Sequence, residues 1–192
     1  LSNPFELFGQ WLDAAIDEKL IEANAMIVAT VSASGVPSTR TVLMKMWSQD
    51  GFVFGSNFSS QKGDEIALNP HVSLLFYWAA LERQVRISGT CARCTDEESN
   101  QLFERRPVDA RISATVSPQS QVIPDRAWLE AETAQLRQSL DPGTAPERPD
   151  FWGGYRVTAT AFEFWQGRSN RMHDRIRYQL EGNAWKADRL AP

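Results

Sequence analysis

The chain has 192 residues, 42% of them hydrophobic, and its 20 Lys plus Arg against 24 Asp plus Glu give a formal net charge of −4. That length suits one domain, residues 1–192, which can bury roughly 70% of its unfolded surface without a disulfide or metal, and the acidic balance argues against a dedicated nucleic-acid binder. No stretch approaches the roughly 18 apolar residues of a membrane span, and Leu1-Ser2-Asn3-Pro4 lacks the layout of a signal peptide, so a soluble, cytoplasmic protein is expected.

Apolar residues at 5, 8, 12 and 16 predict a first helix. The period then changes. Residues 25–32 and 39–47 are β-branched, half-alternating runs joined across Ser34-Gly35-Val36-Pro37, the pattern of a hairpin, and residues 51–56 give a third strand. A short Ser-capped helix within 59–68 stops before Pro70. Residues 71–78 and 82–89 supply two more strands. Thr95-Asp96-Glu97-Glu98 has the spacing of a capping box and opens a helix through about Arg105. A polar loop covers 117–123, an amphipathic helix 124–140, and a Pro-rich loop 141–149. Strands are expected at 155–166, 175–180 and 184–190, the last two as a hairpin across Glu181-Gly182-Asn183. Six to eight antiparallel strands with three or four helices predict an α+β, mainly β arrangement: a β-barrel with helices packed outside it.

Cys91 and Cys94 form a lone CxxC at a strand end. Period two turns residues three apart to opposite faces, and no further ligands stand at zinc spacing, so two ordinary thiols and no metal site are expected.

The chemistry-bearing signal is basic. Cations recur beside strand ends: Arg40 and Lys45, Lys62, Arg83 and Arg86, then Arg105, Arg106 and Arg111, and finally Arg168, Arg171, Arg175 and Arg177 with His173. Any one of these alone is an ordinary surface charge. Arg40 and Lys45, five apart, fall on opposite sides of a regular strand unless it bends or a long side chain wraps an edge. Arg171 and His173 would share one face of an extended segment, a donor pair above a planar substrate. No GxGxxG, GxxxxGK[ST], HExxH or GxSxG occurs, which removes the usual support for a Rossmann unit, a P-loop, a zincin or an α/β-hydrolase. A barrel with phosphate-scale basic groups and 20 aromatics (seven Trp, ten Phe, three Tyr) suits a cofactor planar at one end and anionic at the other, as flavin mononucleotide (FMN) is.

The runs Arg40-Thr41-Val42-Leu43-Met44-Lys45, Leu81-Glu82-Arg83-Gln84-Val85, Val116-Ser117-Pro118-Gln119-Ser120, Phe151-Trp152-Gly153-Gly154-Tyr155-Arg156, Phe162-Glu163-Phe164-Trp165-Gln166-Gly167 and Arg171-Met172-His173-Asp174-Arg175, with the closing Trp185 to Pro192, resemble the pyridoxine/pyridoxamine 5′-phosphate oxidase family. The likeness runs along nearly the whole chain. It implies an FMN-binding split β-barrel and a homodimer with active sites at the subunit interface. The FMN contacts it implies are Arg40, Thr41, Val42, Leu43, Met44, Lys45, Gly55, Ser56, Gln61, Lys62, Gln84, Trp165 and Arg175, with Gln119 and Ser120 reaching the neighbour's flavin. Gln61 stands where the family has Arg, which removes a phosphate-facing charge.

On the substrate side, the family holds its substrate's phosphate with a Lys, a Tyr, an Arg and a Ser. The matching positions here are Lys45, Leu102, Arg106 and Ala110, while Arg171 and His173, the substrate ring's partners and the implied catalytic pair, are kept. Losing a hydroxyl donor to a charged oxygen costs about 1.5–3 kcal/mol, so two losses weaken phosphate recognition by about two orders of magnitude or more. This combination resembles the family's phenazine-biosynthesis branch, whose flavin oxidases act on reduced, carboxylated tricyclic precursors and return the electrons to O₂. The alternatives are a pyridoxine/pyridoxamine 5′-phosphate oxidase with a relaxed phosphate site and a non-catalytic flavin-binding module.

Overall fold

Asn3 starts the first element. In the computed structural model, which describes residues 3–192, its side chain accepts from the Phe5 amide and Pro4 occupies the first turn of α1 (Pro4–Asp17). Leu1 and Ser2 of the opening segment lie outside the described residues. The stripe Phe5, Phe8, Leu12 and Ala15 is buried. Phe8 meets the rings of Trp47, Phe52 and Phe76 at centroid separations of 5.1, 4.9 and 5.0 Å. Each of these aromatic pairs adds to the area term that dominates burial.

Eight strands form one antiparallel sheet among the described residues: β1 (Ala25–Val31), β2 (Pro37–Ser48), β3 (Gly51–Asn57), β4 (His71–Trp78), β5 (Arg83–Arg93), β6 (Trp152–Gln166), β7 (Asp174–Glu181) and β8 (Ala184–Leu190). Their order is β3-β2-β1-β4-β5-β6-β7-β8, and a β3–β6 pairing closes six of them into a barrel with β7 and β8 as an extension. Alternation decides the inward face. On β4, Val72, Leu74, Phe76 and Trp78 are buried and join Val28, Phe54, Val85, Ile87 and Phe162 in one core with the α1 stripe. The expected split barrel is what forms. Gly182, at φ +62, makes the two-residue β7–β8 turn that the sequence signalled.

The helices are five rather than the expected three or four, counted over the described residues: α1, α2 (Gln61–Leu68), α3 (Asp96–Glu104), α4 (Val108–Val116) and α5 (Arg126–Ser139). The addition is α4. It buries only Ile112 and starts from Pro107 with no side-chain cap, so neither a stripe nor a cap announced it. By contrast, α3 has both halves of the capping box at Thr95 and Glu98. No helix of the described residues is long and apolar enough to cross a membrane.

The two thiols diverge as expected. Cys91 enters the barrel core, and Cys94 packs against a second cluster of Val53, Leu102, Phe103 and Trp152, where α3 covers the barrel wall. Burial pushes the Cys91 thiol up to about 12.

Candidate active site

A cleft of about 540 Å³ opens where β2, β3 and the start of α2 meet. Ser60 caps α2 by accepting from the Gly63 amide, and this fixes Lys62 in the first turn, buried and directed across to β3. The Lys62 Nζ donates to Ser56 Oγ and Ser60 Oγ, both at 3.1 Å, and to Gln119 Oε1 at 2.8 Å. All three ammonium hydrogens therefore go to neutral oxygens, and the charge has no carboxylate beside it. Burial, and then the nearby Arg40, bring its pKa down to about 8 against the upward pull of Glu65.

Arg40 is handled differently. Its guanidinium donates to Thr30 Oγ1, to Ser38 Oγ at 2.7 Å, and to Glu65 Oε2 at 3.3 Å. Glu65 also accepts from Thr30, from Ser38 at 2.7 Å and from Gln61 at 2.9 Å. Burial raises the pKa of this carboxyl, but the four donors outweigh burial and hold it at about 2. Gln61 thus spends its amide on Glu65. Neither Thr30 nor Glu65 was visible as a site residue in the sequence, because they meet across a separation of 35 residues.

The two cations of β2 reach one cleft because the strand bends. Met44 pairs with Phe54 but Met46 with Val53, so Lys45 is the extra residue of a β-bulge. Lys45 and Arg40 both line the cleft with Thr41, Val42 and Leu43, while Met44 turns into the core. Gly55 lies at its floor, where a Cβ would come within 2.7 Å of the Trp152 ring. Arg40, Lys45, Lys62 and Arg106 supply four cationic side chains to the lining, and no Asp or Glu lines it. Such a donor set fits a phosphate monoester.

Lys45 and Arg106 also border a second hollow of about 350 Å³, walled by Leu102, Pro107 and Ala110. Arg106 lies over the Trp152 ring at 5.0 Å and donates from Nη2 to the Ala110 carbonyl at 3.0 Å. Its Nε is buried and has no hydrogen-bond partner. Burial lowers its pKa, marking a charge held away from water. An orphaned donor of this kind is costly unless an anion meets it.

Three sequence expectations change. Gln119 and Ser120 do not point away toward a neighbour: the segment after α4 turns back, Asn57 Nδ2 donates to the Ser117 carbonyl, and both residues line the cleft of their own chain. Arg171 and His173 do not share an extended segment. Asn170 and Arg171 adopt left-handed φ of 57° and 61°, which coils residues 169–171 into a 3₁₀ turn. The His173 ring lies tilted against Trp165 at a centroid separation of 4.7 Å, and its Nδ1 accepts from the Arg168 amide at 3.1 Å. Finally, Gln84, Trp165 and Arg175 line neither the cleft nor the hollow. They form one row across β5, β6 and β7, paired Gln84 to Trp165 and Trp165 to Arg175.

Most of the remaining cations are structural. Arg83 covers Trp11 at 4.8 Å, and Arg168 and Arg189 both pair with Asp174, at 2.8 and 2.7 Å. Arg111 caps the end of α3 by donating to backbone carbonyls.

Residues 12–140 match the pyridoxamine 5′-phosphate oxidase family, and residues 152–192 match the pyridoxine 5′-phosphate oxidase C-terminal dimerisation region. A pyridoxine/pyridoxamine 5′-phosphate oxidase of Paraburkholderia phymatum is 51% identical over 191 residues, covering 99% of this chain and 89% of that protein. One of Polynucleobacter asymbioticus is 48% identical over 190 residues, with the same coverage. Among solved structures, PhzG from Burkholderia lata, in complex with tetrahydrophenazine-1-carboxylic acid, superposes with a TM-score of 0.95 at 32% identity, covering 100% of this chain and 94% of that one.

Proposed function

This chain belongs to the pyridoxamine 5′-phosphate oxidase family of flavin-dependent oxidases, and from that premise we propose that it is an FMN-dependent oxidase of a planar, carboxylated substrate without a phosphate, of the reduced phenazine carboxylate class. The observation that carries the substrate class is the hollow beside the cleft. Leu102, Pro107 and Ala110 offer apolar walls and no hydroxyl, and the one buried group there without a partner is Arg106 Nε. A guanidinium on an apolar wall suits a flat carboxylate, which it can meet with two parallel bonds. The solved relative bound to tetrahydrophenazine-1-carboxylic acid agrees with this class.

The cofactor reading rests on the cleft lined by four cations and no carboxylate. Lys62, Arg40, Ser56 and Gln119 would hold the FMN phosphate, and Lys45 stands at the border with the substrate hollow. When bound, FMN would supply a two-electron acceptor for the substrate's hydride, with O₂ as the final oxidant, reduced to peroxide. The protein's work is placement: Arg106 fixes the acid group, the apolar walls exclude water, and the held geometry lowers the entropic part of the barrier.

The row Gln84, Trp165 and Arg175, with Arg171 and His173 on the turn beyond it, lies outside this chain's cleft. The reading is that a homodimer completes the site, one protomer giving the β2–β3 cleft and its partner the β5–β7 row. The match of residues 152–192 to a dimerisation region supports it.

A second reading, oxidation of pyridoxine or pyridoxamine 5′-phosphate, is favoured by the names of the relatives at 48–51% identity. Anaerobic flavin reduction separates the two. A reduced phenazine carboxylate is expected to bleach the bound flavin at least tenfold faster than pyridoxine 5′-phosphate at equal micromolar concentration. Faster reduction by the vitamin phosphate overturns the proposal, and a protein that cannot be reconstituted with FMN overturns both readings.

A further inference from the structure

Glu163 is a carboxylate buried in a sheet face with 6% of its surface exposed. It sits on β6 with Arg86 of β5 and Arg177 of β7 as its register partners. Arg177 is drawn away to Asp188 at 3.0 Å. Both Glu163 oxygens are nevertheless taken: Arg86 Nη2 donates to Oε2 at 2.5 Å, and Arg175 donates to Oε1 from Nε at 2.9 Å and Nη2 at 2.8 Å. The cluster, a buried carboxylate between an exposed Arg86 and a half-buried Arg175, keeps one net positive charge. Burying a carboxylate is costly unless it is paired this way, and neither the cofactor cleft nor the substrate hollow includes Glu163 or Arg86.

The consequence falls on Arg175. A guanidinium has five N–H groups. Two go to Glu163 and one, from Nη1, to the Ala191 carbonyl at 2.9 Å. One hydrogen is left on each terminal nitrogen, so the group is fixed on one edge and free on the other. It also ends the row that begins at Gln84 and Trp165.

We propose that Glu163 is a positioning residue that holds Arg175 for the cofactor of the composite site. The proposal rests on the reading that Arg175 meets FMN from the β5–β7 row. Without it, Glu163 is a clamp between three strands and nothing more.

The test is FMN titration of the apoprotein by flavin fluorescence quenching, with the apoprotein melting temperature as a second readout. Arg175→Gln is expected to raise the FMN Kd by about tenfold or more, the loss of one charge-assisted contact. Glu163→Gln is expected to raise it at least fivefold, and the double variant no further than Arg175→Gln alone, since one residue acts through the other. If Arg175→Gln stays within twofold of the wild type, the reading of Arg175 fails and the proposal with it. If Arg175→Gln weakens binding but Glu163→Gln stays within twofold, or if the two effects multiply, Glu163 does not act through Arg175. Should Glu163→Gln fail to fold, Glu163→Asp keeps the buried charge but shortens its reach. The expected result is the same loss of FMN affinity, and a lower melting temperature with unchanged Kd overturns the proposal.

Discussion

The two ends of the active-site cleft are built on opposite principles. At the β2–β3 end Arg40 and Lys62 are engaged before any ligand arrives: Arg40 shares Glu65 with Thr30, Ser38 and Gln61, and Lys62 spends its three hydrogens on Ser56, Ser60 and Gln119. At the α3–α4 end, Arg106 faces Leu102, Pro107 and Ala110 with a buried Nε that nothing meets. A pre-satisfied network lets a phosphate replace weaker partners without rearrangement. An orphaned donor instead penalises the empty site and favours an acid group that fills it. The difference supports the proposed division, with cofactor binding at the first end and substrate choice at the second.

Removing a cation from each end should break the comparison most sharply. Lys62→Ala deletes a buried charge that has no carboxylate partner, and is expected to raise the FMN Kd by about a hundredfold, at the upper range for a lost charge-assisted contact. Equilibrium dialysis of the apoprotein checks this. Arg106→Met keeps the apolar fill and removes the orphan. It is expected to raise KM for a carboxylated substrate by about tenfold or more while FMN Kd stays within threefold. Comparable effects of both variants on FMN would mean that the two ends are one site.

A pH titration sharpens the same contrast with a smaller effect. Lys62 must be protonated to meet a phosphate, and its pKa is brought down from 10.5 to about 8. FMN affinity should therefore be nearly level between pH 7 and 8 and fall by up to about tenfold per pH unit above that. Its contribution to apoprotein stability runs the other way. Between pH 8 and 10.5 the unfolded chain binds more protons than the folded one, so that contribution grows as pH rises. Isothermal titration at pH 7, 8 and 9 reads the affinity slope, and a flat profile contradicts the role given to Lys62.

The barrel was legible in the sequence because β4 and its neighbours alternate, and because turns such as Glu181-Gly182-Asn183 carry their own signal. Helix α4 was not, since one buried residue makes no stripe. The family likeness named most of the cleft, while the path that brings Gln119 and Ser120 to the cleft of their own chain is a matter that no local pattern encodes. Period two set Arg40 and Lys45 apart, and only the bulge at Lys45 reconciles them. The turn at Asn170 and Arg171 had a weak cue in the asparagine, a residue that tolerates left-handed backbone. Glu65 and Glu163 escaped notice for another reason. Their partners come from distant strands, and a carboxylate among arginines has no spacing that identifies it.

The central claim is that the Leu102 and Ala110 wall of the hollow sets the substrate. It is tested most directly by the ratio of kcat/KM for a reduced phenazine carboxylate to that for pyridoxine 5′-phosphate, measured on the wild type and on the double variant Leu102→Tyr, Ala110→Ser. Restoring two hydroxyl donors is expected to move that ratio toward the phosphate by about a hundredfold. A ratio that stays within threefold of the wild type would contradict the account.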